Sequence, residues 1–491
     1  MSHPERTRRY PVGAEVTKDG AAFRVWAEKR KRVDVVIDGK NHPLDAERDG
    51  YFSALVPGVT AGARYGFRLD GGSKVYPDPA SRRQPDGPHG LSAVVDPSAF
   101  TWSDRDWQGP DRESTVLYEM HVGTFTEEGT WAAAEEHFGH LRDVGVTAIE
   151  LMPVCDFPGR FGWGYDGVGL WAPTRLYGSP DALRHFVDAA HREGLAVILD
   201  VVYNHIGPDG NYFKEFSDEY FTDRYENEWG EAINFDGEGA GPVRDFFSSN
   251  AAYWIDEFHF DGLRLDATQS IHDSSDEPIL AVISRRVRDA ANGRKTLLVA
   301  ENEPQDIRLV TPAAQGGFGL DAMWNDDFHH STRVALTGHT GAYYTDYRGS
   351  AQEQVSMAKH GFLYQGQWYA WQKKPRGTRS IGWPPRTFVT YIQNHDQIAN
   401  YAAGDRIQHW ADAGSIRAAT ALLLLGPGIP MLFQGQEFAS SRPFTYFADH
   451  EPKLAALVEK GRKEFLRQFP AMATDEMSAI LPVPHDPEVF E

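Results

Sequence analysis

Eight short apolar runs, most of them followed by an amphipathic helical stretch, constrain what this chain can fold into more than any other feature. They are VLYEMHV from residue 116, VTAIELMPV from 146, LAVILDVVYNH from 195, GLRLDA from 262, TLLVAE from 296, LDAMWND from 320, FVTYIQNH from 388 and IPMLFQ from 429. Between them lie helical patterns such as WAAAEEHFGHLRDVG, PDALRHFVDAAHREG and the segment 243 to 258, where Val243, Phe246, Phe247, Ala251, Trp254 and Phe258 share one face. Further helices are expected after Asp276 and from about residue 413. Apolar strands alternating with helices indicate parallel βα units, and eight of them favour an α/β fold of the (β/α)8 TIM barrel type over an open sheet.

The first hundred residues read differently. In ARYGFRL, Ala63, Tyr65, Phe67 and Leu69 alternate with Arg64, Gly66 and Arg68, and AAFRVWA, VDVVI and YFSALV are separated by turn formers. This predicts a small N-terminal antiparallel β-sandwich. From Pro77 to Trp107 proline, glycine, aspartate and serine dominate, as in a linker or strap. The expected organisation is therefore a sandwich with linker over residues 1–108 and a barrel over 109–491, with a loop excursion at about 203–240 near the active face.

Composition removes several classes of function. A net charge of −21 repels phosphate backbones and anionic lipid, so neither nucleic acid nor membrane is an expected partner. The single cysteine, Cys155, excludes an internal disulfide and agrees with a reducing compartment. The start, MSHPERTRRYPVG, lacks the apolar core of a signal peptide, and the greasiest run, AATALLLL at 418 to 425, stops at Gly426 and Pro427. A cytoplasmic protein is expected.

Polar residues gather where the strands end. Asp200 and His205 follow one strand, Arg264 and Asp266 sit on another, Glu301 ends a third, and His395 with Asp396 ends a fourth. A single such site is the ordinary solvated end of a strand. In a barrel all four converge on one mouth, where clustered like charges are costly unless they have a use. Arg264 and Asp266, two apart on a strand and so about 7 Å apart on one face, allow the guanidinium to orient the carboxylate. Glu301, after an apolar run and near Asp266 and Asp396, is expected to hold its proton. An ionised carboxylate beside a neutral carboxylic acid is the pairing that glycoside hydrolysis needs, and Asp396 is then free to hold sugar hydroxyls. Glu303 is the rival proton donor, two residues further out and followed by Pro304.

A metal centre is the main competing chemistry. No His-x-His or HExxH is present, and on a strand the adjacent His329 and His330 would face opposite ways, so neither a metal nor another cofactor is expected. GEGAGP at 237 to 242 lacks a preceding strand and reads as a flexible loop, and Cys155 as a packed residue. Aromatic segments supply the flat surfaces that sugars need: GRFGWGYDGVGLWAP around Trp163, Tyr165 and Trp171, WNDDFHH from Trp324, and YQGQWYAWQ from Tyr364.

DVVYNH at 200, GLRLDA at 262, AE at 300 and NHDQ at 394, taken in order along a barrel, resemble the α-amylase superfamily of glycoside hydrolases. WGYDGVGLWAPTRLYGSP, WNDDFHHSTRVALTG, QNHDQIAN and LFQGQEFASSRPFTYFADH resemble one family within it, the maltooligosyltrehalose trehalohydrolases, over residues 10 to 480. The resemblance implies retaining chemistry, with Asp266 as nucleophile, Glu301 as acid and then base, and Asp396 as transition-state stabiliser. It implies substrate-binding roles for Tyr165, Asp200, His205 and Arg264, for Asn394, His395 and Gln397, and for Trp324 and Asp326. The substrate implied is maltooligosyltrehalose, an α-glucan cleaved at the α-1,4 bond beside its terminal trehalose. The pathway partner implied is a maltooligosyltrehalose synthase, the metal requirement none, and the sandwich a glucan-associated domain. The chain departs from the family at Gln269, where a histidine is expected, and at its end, PVPHDPEVFE, which leaves no room for a last barrel helix or a C-terminal β domain. An incomplete barrel would expose apolar surface. Rival readings are a glucan branching or debranching relative and a barrel that only binds glucan.

Overall fold

A computed structural model describes residues 8–401, 403–474 and 481–491, the side chain at 471 excepted. Eight parallel strands close into a barrel: β1 (Leu117–Met120), β2 (Ala148–Leu151), β3 (Ala196–Val201), β4 (Gly262–Leu265), β5 (Leu297–Ala300), β6 (Ala322–Trp324), β7 (Phe388–Tyr391) and β8 (Ile429–Phe433). Each of the eight apolar runs supplies one strand. The barrel interior is filled by every second residue, among them Leu117, Ala148, Ile198, Val299, Ala322 and Met431. One step further along, the same parity sends Glu119, Glu150, Asp200 and Arg264 inward, with Glu119 opposite Glu150 and Asp200 opposite Arg264 in register. The apolar plug thus ends in a polar layer just below the mouth.

The outer helices include α1 (Phe138–Asp143), α2 (Pro180–Arg192), α3 (Ala240–Glu257), α4 (Ile279–Ala290), α5 (Asp326–Thr337), α6 (Ala413–Leu425) and α7 (Pro452–Leu466). Local sequence dictates their limits. Before α2, Ser179 accepts from the Ala182 amide and Pro180 occupies the first turn, and Gly194 follows its end at φ +78°. WAAAEEHFGHLRDVG forms two short helices instead of one, Trp131–Glu135 and then α1, because the chain turns at His137. His329 and His330 lie on a helix instead of a strand: Asn325 follows β6 and caps α5 by accepting from the Phe328 amide, so helical winding begins before the histidines. The helix α7 follows β8, and its Arg462 donates to the Ala399 carbonyl and Asn400 near the mouth. The eight strands close, so the expected incompleteness does not reach the sheet. On the outer wall Leu422, Leu424 and Leu425 of α6 are exposed.

The N-terminal region is a sandwich of two four-stranded antiparallel sheets. One orders Gly13–Thr17, Gly20–Trp26, Tyr51–Pro57 and Asp45–Ala46; the other Lys40–Pro43, Val33–Ile37, Arg64–Leu69 and Ser92–Ala93. Tyr65, Phe67 and Leu69 share its core with Phe23, Val25 and Val35, as the alternation predicts. Phe216, from the excursion after β3, is fully buried in that same core, edge-on to Phe67 at 6.1 Å. Phe216→Ala is accordingly expected to cost roughly 3–5 kcal/mol, read as a lower thermal unfolding midpoint; an unchanged midpoint would show that the sandwich core does not depend on the barrel.

The strap is anchored at the opposite end of the barrel. His191 at the end of α2 lies between two carboxylates, Nδ1 at 2.9 Å from Asp104 and Nε2 at 2.9 Å from Asp261. Trp107 stacks on its ring and donates to Asp261 at 2.7 Å. Asp104 also holds His259, which Trp102 covers at 3.7 Å. No helix among the described residues is long and apolar enough to cross a membrane.

Candidate active site

A cavity of about 450 Å³ opens at the C-terminal ends of the strands. Asp266, Glu301 and Asp396 line it together with Tyr165, His205, Arg264 and Trp324, and so do Asp326, Asn394, His395 and Gln397. Asp200 is 2% exposed and stands behind this wall.

Arg264 organises the site. Its Nη1 donates to Asp200 at 2.6 Å and to Asp266 at 2.7 Å, and its Nη2 donates to Glu301 at 2.6 Å. The guanidinium lies over the Trp324 ring, 4.2 Å from its centroid. The two-residue spacing of Arg264 and Asp266 thus has the consequence read from strand geometry. Asp266 also accepts from the Asn204 side chain at 2.8 Å. Immediately after it, Ala267 takes up a left-handed conformation at φ +38°, and its amide donates to Glu301 at 2.9 Å. A non-glycine residue held there stores strain of about 1 kcal/mol or more.

These contacts separate the two carboxyls electrically. Burial, with the negative charges of Asp266 and Asp396, pushes Glu301 up to about 7 against the pull of Arg264 and the Ala267 amide. The direction matches expectation, but loss of hydration outweighs the neighbouring charges. Burial also raises Asp266, and Arg264 opposes that rise. Donors reach both oxygens of Asp266, from Arg264 and Asn204, whereas both donors to Glu301 fall on its Oε2, so Asp266 is the better placed of the pair to carry negative charge and Glu301 the better placed to keep a proton on its other oxygen. Glu303 also lines the cavity, but its Oε1 accepts from Arg376 and Gln372, each at 2.6 Å. Gln269 accepts from the Glu303 amide at 3.4 Å.

On the other side of Arg264, the Tyr165 hydroxyl donates to Asp200 at 2.7 Å and lies 3.0 Å from His395 Nε2. Burial lowers His205, whose Nε2 lies 3.0 Å from the Tyr165 carbonyl. Asn394 caps the helical turn His395–Ala399 by accepting from the Gln397 amide. The Gln397 side chain accepts from Tyr343 and Tyr344. At the floor, Asp326 accepts from Tyr391, and burial pushes it up to about 7 despite Arg376. Burial pushes Cys155 up to about 12, away from the cavity.

Sequence reasoning passed over Glu119, Asn204 and Arg376. Asn204 had a signal, since it lies within DVVYNH. Glu119 had one too, sharing the inward parity of Leu117, but it sits inside its strand and not at the end. Arg376 comes from the hairpin Gln367–Tyr369 with Lys374–Arg376, which no periodicity ties to the mouth.

Comparison with known proteins accords with this architecture. A model of the alpha-amylase catalytic domain matches residues 74–251, and one of carbohydrate-binding module 48, the isoamylase N-terminal domain, matches 11–83. Malto-oligosyltrehalose trehalohydrolase of Saccharolobus solfataricus is 42% identical, covering 92% of this chain and 79% of that protein. That of Deinococcus radiodurans is 43% identical over 97% and 77%. A 1,4-alpha-glucan branching enzyme of Corynebacterium jeikeium is 28% identical over 88% and 62%. Among solved structures, a Salmonella typhimurium protein described as an alpha amylase superposes with a TM-score of 0.91 at 42% identity, covering 98% of this chain and 81% of its own. A Bacillus subtilis type I pullulanase with maltose has TM-score 0.68 at 20% identity, covering 95% and 72%, a likeness of fold. By its identity with curated relatives over nearly its whole length, the chain belongs to the malto-oligosyltrehalose trehalohydrolase family.

Proposed function

We propose that this protein is a retaining glycoside hydrolase that cleaves the α-1,4-glucosidic bond next to the terminal trehalose of maltooligosyltrehalose, releasing trehalose. The observation that carries the chemistry is the sharing of one guanidinium by Asp266 and Glu301, which accept from Arg264 at 2.7 and 2.6 Å. Inverting enzymes keep their carboxyls ~6.5–9.5 Å apart to admit a water, whereas retaining enzymes hold them at ~5 Å. The closeness of this pair supports double displacement.

Asp266, oriented by Arg264 and Asn204, attacks the anomeric carbon as Glu301 gives its proton to the departing oxygen of the trehalose unit. The glucan is then esterified to Asp266. Glu301, now a carboxylate, takes a proton from water, whose oxygen attacks the same carbon and frees Asp266. Asp396 steadies the positive charge that develops on the ring and holds sugar hydroxyls. Tyr165, His205, His395 and Asp200 shape the pocket for the sugar being cleaved, with Asn394 and Gln397 fixing the turn that carries Asp396. Trp324 and Asp326 form its floor toward Arg376. No cofactor enters this scheme.

Residues 1–108 are read as the glucan-associated module with its linker and 109–491 as the catalytic unit. The enzyme is placed in the cytoplasm, downstream of a maltooligosyltrehalose synthase.

The test is a product assay on maltooligosyl trehalose and on plain maltoheptaose. Trehalose from the first and little cleavage of the second is expected; branch points or maltose would favour a branching or debranching relative, and binding without turnover a glucan-binding barrel. Because Glu301 must be protonated to act and its carboxyl sits at about 7, kcat/KM is expected to fall tenfold per pH unit above that value. A rate that rises from pH 7 to 9 would remove Glu301 as the donor.

A further inference from the structure

Glu119 does not line the cavity and is 2% exposed, yet both its oxygens are aimed at one residue that does. Oε2 accepts from the His395 backbone amide at 3.0 Å, and Oε1 lies 2.5 Å from His395 Nδ1. We propose that Glu119 is a positioning residue that keeps His395 doubly protonated and aims its Nε2–H into the Tyr165, Asp200 and Arg264 chain of the catalytic pocket. The consequence for turnover rests on the hydrolase reading above; the protonation of the ring does not.

The direction of every proton in the chain follows from its fixed ends. Arg264 can only donate, so Asp200 Oδ2 is an acceptor. The single hydroxyl proton of Tyr165 goes to that same oxygen. The Tyr165 oxygen is left as acceptor, and His395 Nε2, 3.0 Å away, must be the donor. Its Nδ1 then meets Glu119 Oε1 at a distance that requires a proton between them. Carried by the ring, that proton makes His395 an imidazolium donating at both ends. Ring orientation is fixed as well, since Tyr165 stacks on the imidazole at 5.4 Å and Trp163 meets it edge-on at 5.1 Å.

The charges that face His395 from neighbouring elements point the same way. Burial alone would lower it, but Glu119 from β1 and Asp396 from its own turn raise it, against Arg264 from β4. Asp200 on β3 is coupled to it across the Tyr165 hydroxyl. Burial raises Glu150 on β2, and Glu119 and Asp200 add to that rise. Burial drives His121 down to about 4, so the ring following β1 adds no competing cation.

The test uses the full chain labelled with 15N only in its histidine rings, with His395→Gln identifying the signal. In the wild-type protein at pH 7 both nitrogens of His395 should show imidazolium shifts. In Glu119→Gln, which keeps shape but loses the charge, the ring should be neutral at pH 7, and Glu119→Asp should recover much of the shift. In trehalose release, Glu119→Gln is expected to lower kcat on the order of 100-fold at pH 7.5, with KM little changed. The deficit should shrink to about tenfold or less near pH 5.5, where acid restores the imidazolium. A merely structural role would give a deficit independent of pH. A neutral ring in the wild type, one titrating identically in Glu119→Gln, or a constant kcat ratio would overturn the proposal. The expected ring titration in a wild type that releases no trehalose would support the pairing and reject only the hydrolase reading.

Discussion

Asp266→Asn is expected to lower kcat by at least 10⁵-fold on maltooligosyl trehalose, the order seen when a hydrolase loses its nucleophile. The amide is nearly the shape of the carboxylate and can still accept from Arg264, whose other partners, Asp200 and Glu301, are untouched. The pocket should therefore keep its form and its affinity, and the loss should fall on kcat and not on KM. Asp266→Ala should be as inactive. Steady-state rates with binding measured by calorimetry separate the two quantities, and a variant retaining more than about 1% of wild-type kcat would show that the covalent bond forms elsewhere. A second effect follows from charge. Asp266 is among the groups that raise Glu301, so removing it should move the carboxyl of Glu301 downward.

Glu301→Gln should slow turnover by about 10³-fold or more while making the folded protein more stable above neutral pH. The kinetic loss should depend on the leaving group. From maltosyl fluoride the fluoride ion departs without a proton as the maltosyl group passes to Asp266, so this first step should suffer far less than that of the natural substrate; equal losses on both would remove Glu301 as the acid. The stability gain comes from linkage. Below about pH 4.5 the carboxyl is protonated in folded and unfolded chains alike and contributes no difference. Between there and about 7 the folded chain holds a proton that the unfolded one has released, so stability falls as pH rises. Above 7 the full penalty of a buried carboxylate is present. Glutamine avoids it, and a gain on the order of 2 kcal/mol at pH 8 is expected, read as a higher denaturant midpoint than wild type; at pH 4 the two should coincide. A lower midpoint at pH 8 would mean that the ion pair with Arg264 outweighs the cost of burial.

The barrel was legible because its strands are short, apolar and evenly interleaved with amphipathic helices, and because inward parity is a property of the backbone. That parity alone puts Arg264 and Asp266 on one face, and it puts Glu119, a carboxylate inside its strand and not at the end, on the inward side as well. What could not be read was what loops bring back from far along the chain. Arg376 on its hairpin and Arg462 on α7 carry no spacing signal that ties them to the mouth. The histidines of WNDDFHH were misplaced for a local reason, as the Asn325 cap starts a helix at the residue after β6. The separate look of the first hundred residues was also only half the account, since periodicity within that stretch says nothing of Phe216 arriving from the barrel.

The clasp of Asp104, His191 and Asp261 beneath the barrel bears on how the two lobes share load. A tether of that length rich in proline and glycine would ordinarily let its ends swing independently. Here its aromatic and acidic side chains are pinned to the base of the barrel at the same time as Phe216 plugs the sandwich from above, so the lobes are riveted at two distant points. The orientation of the smaller lobe relative to the mouth is thus set by packed side chains at both ends and not by the length of the segment that joins them.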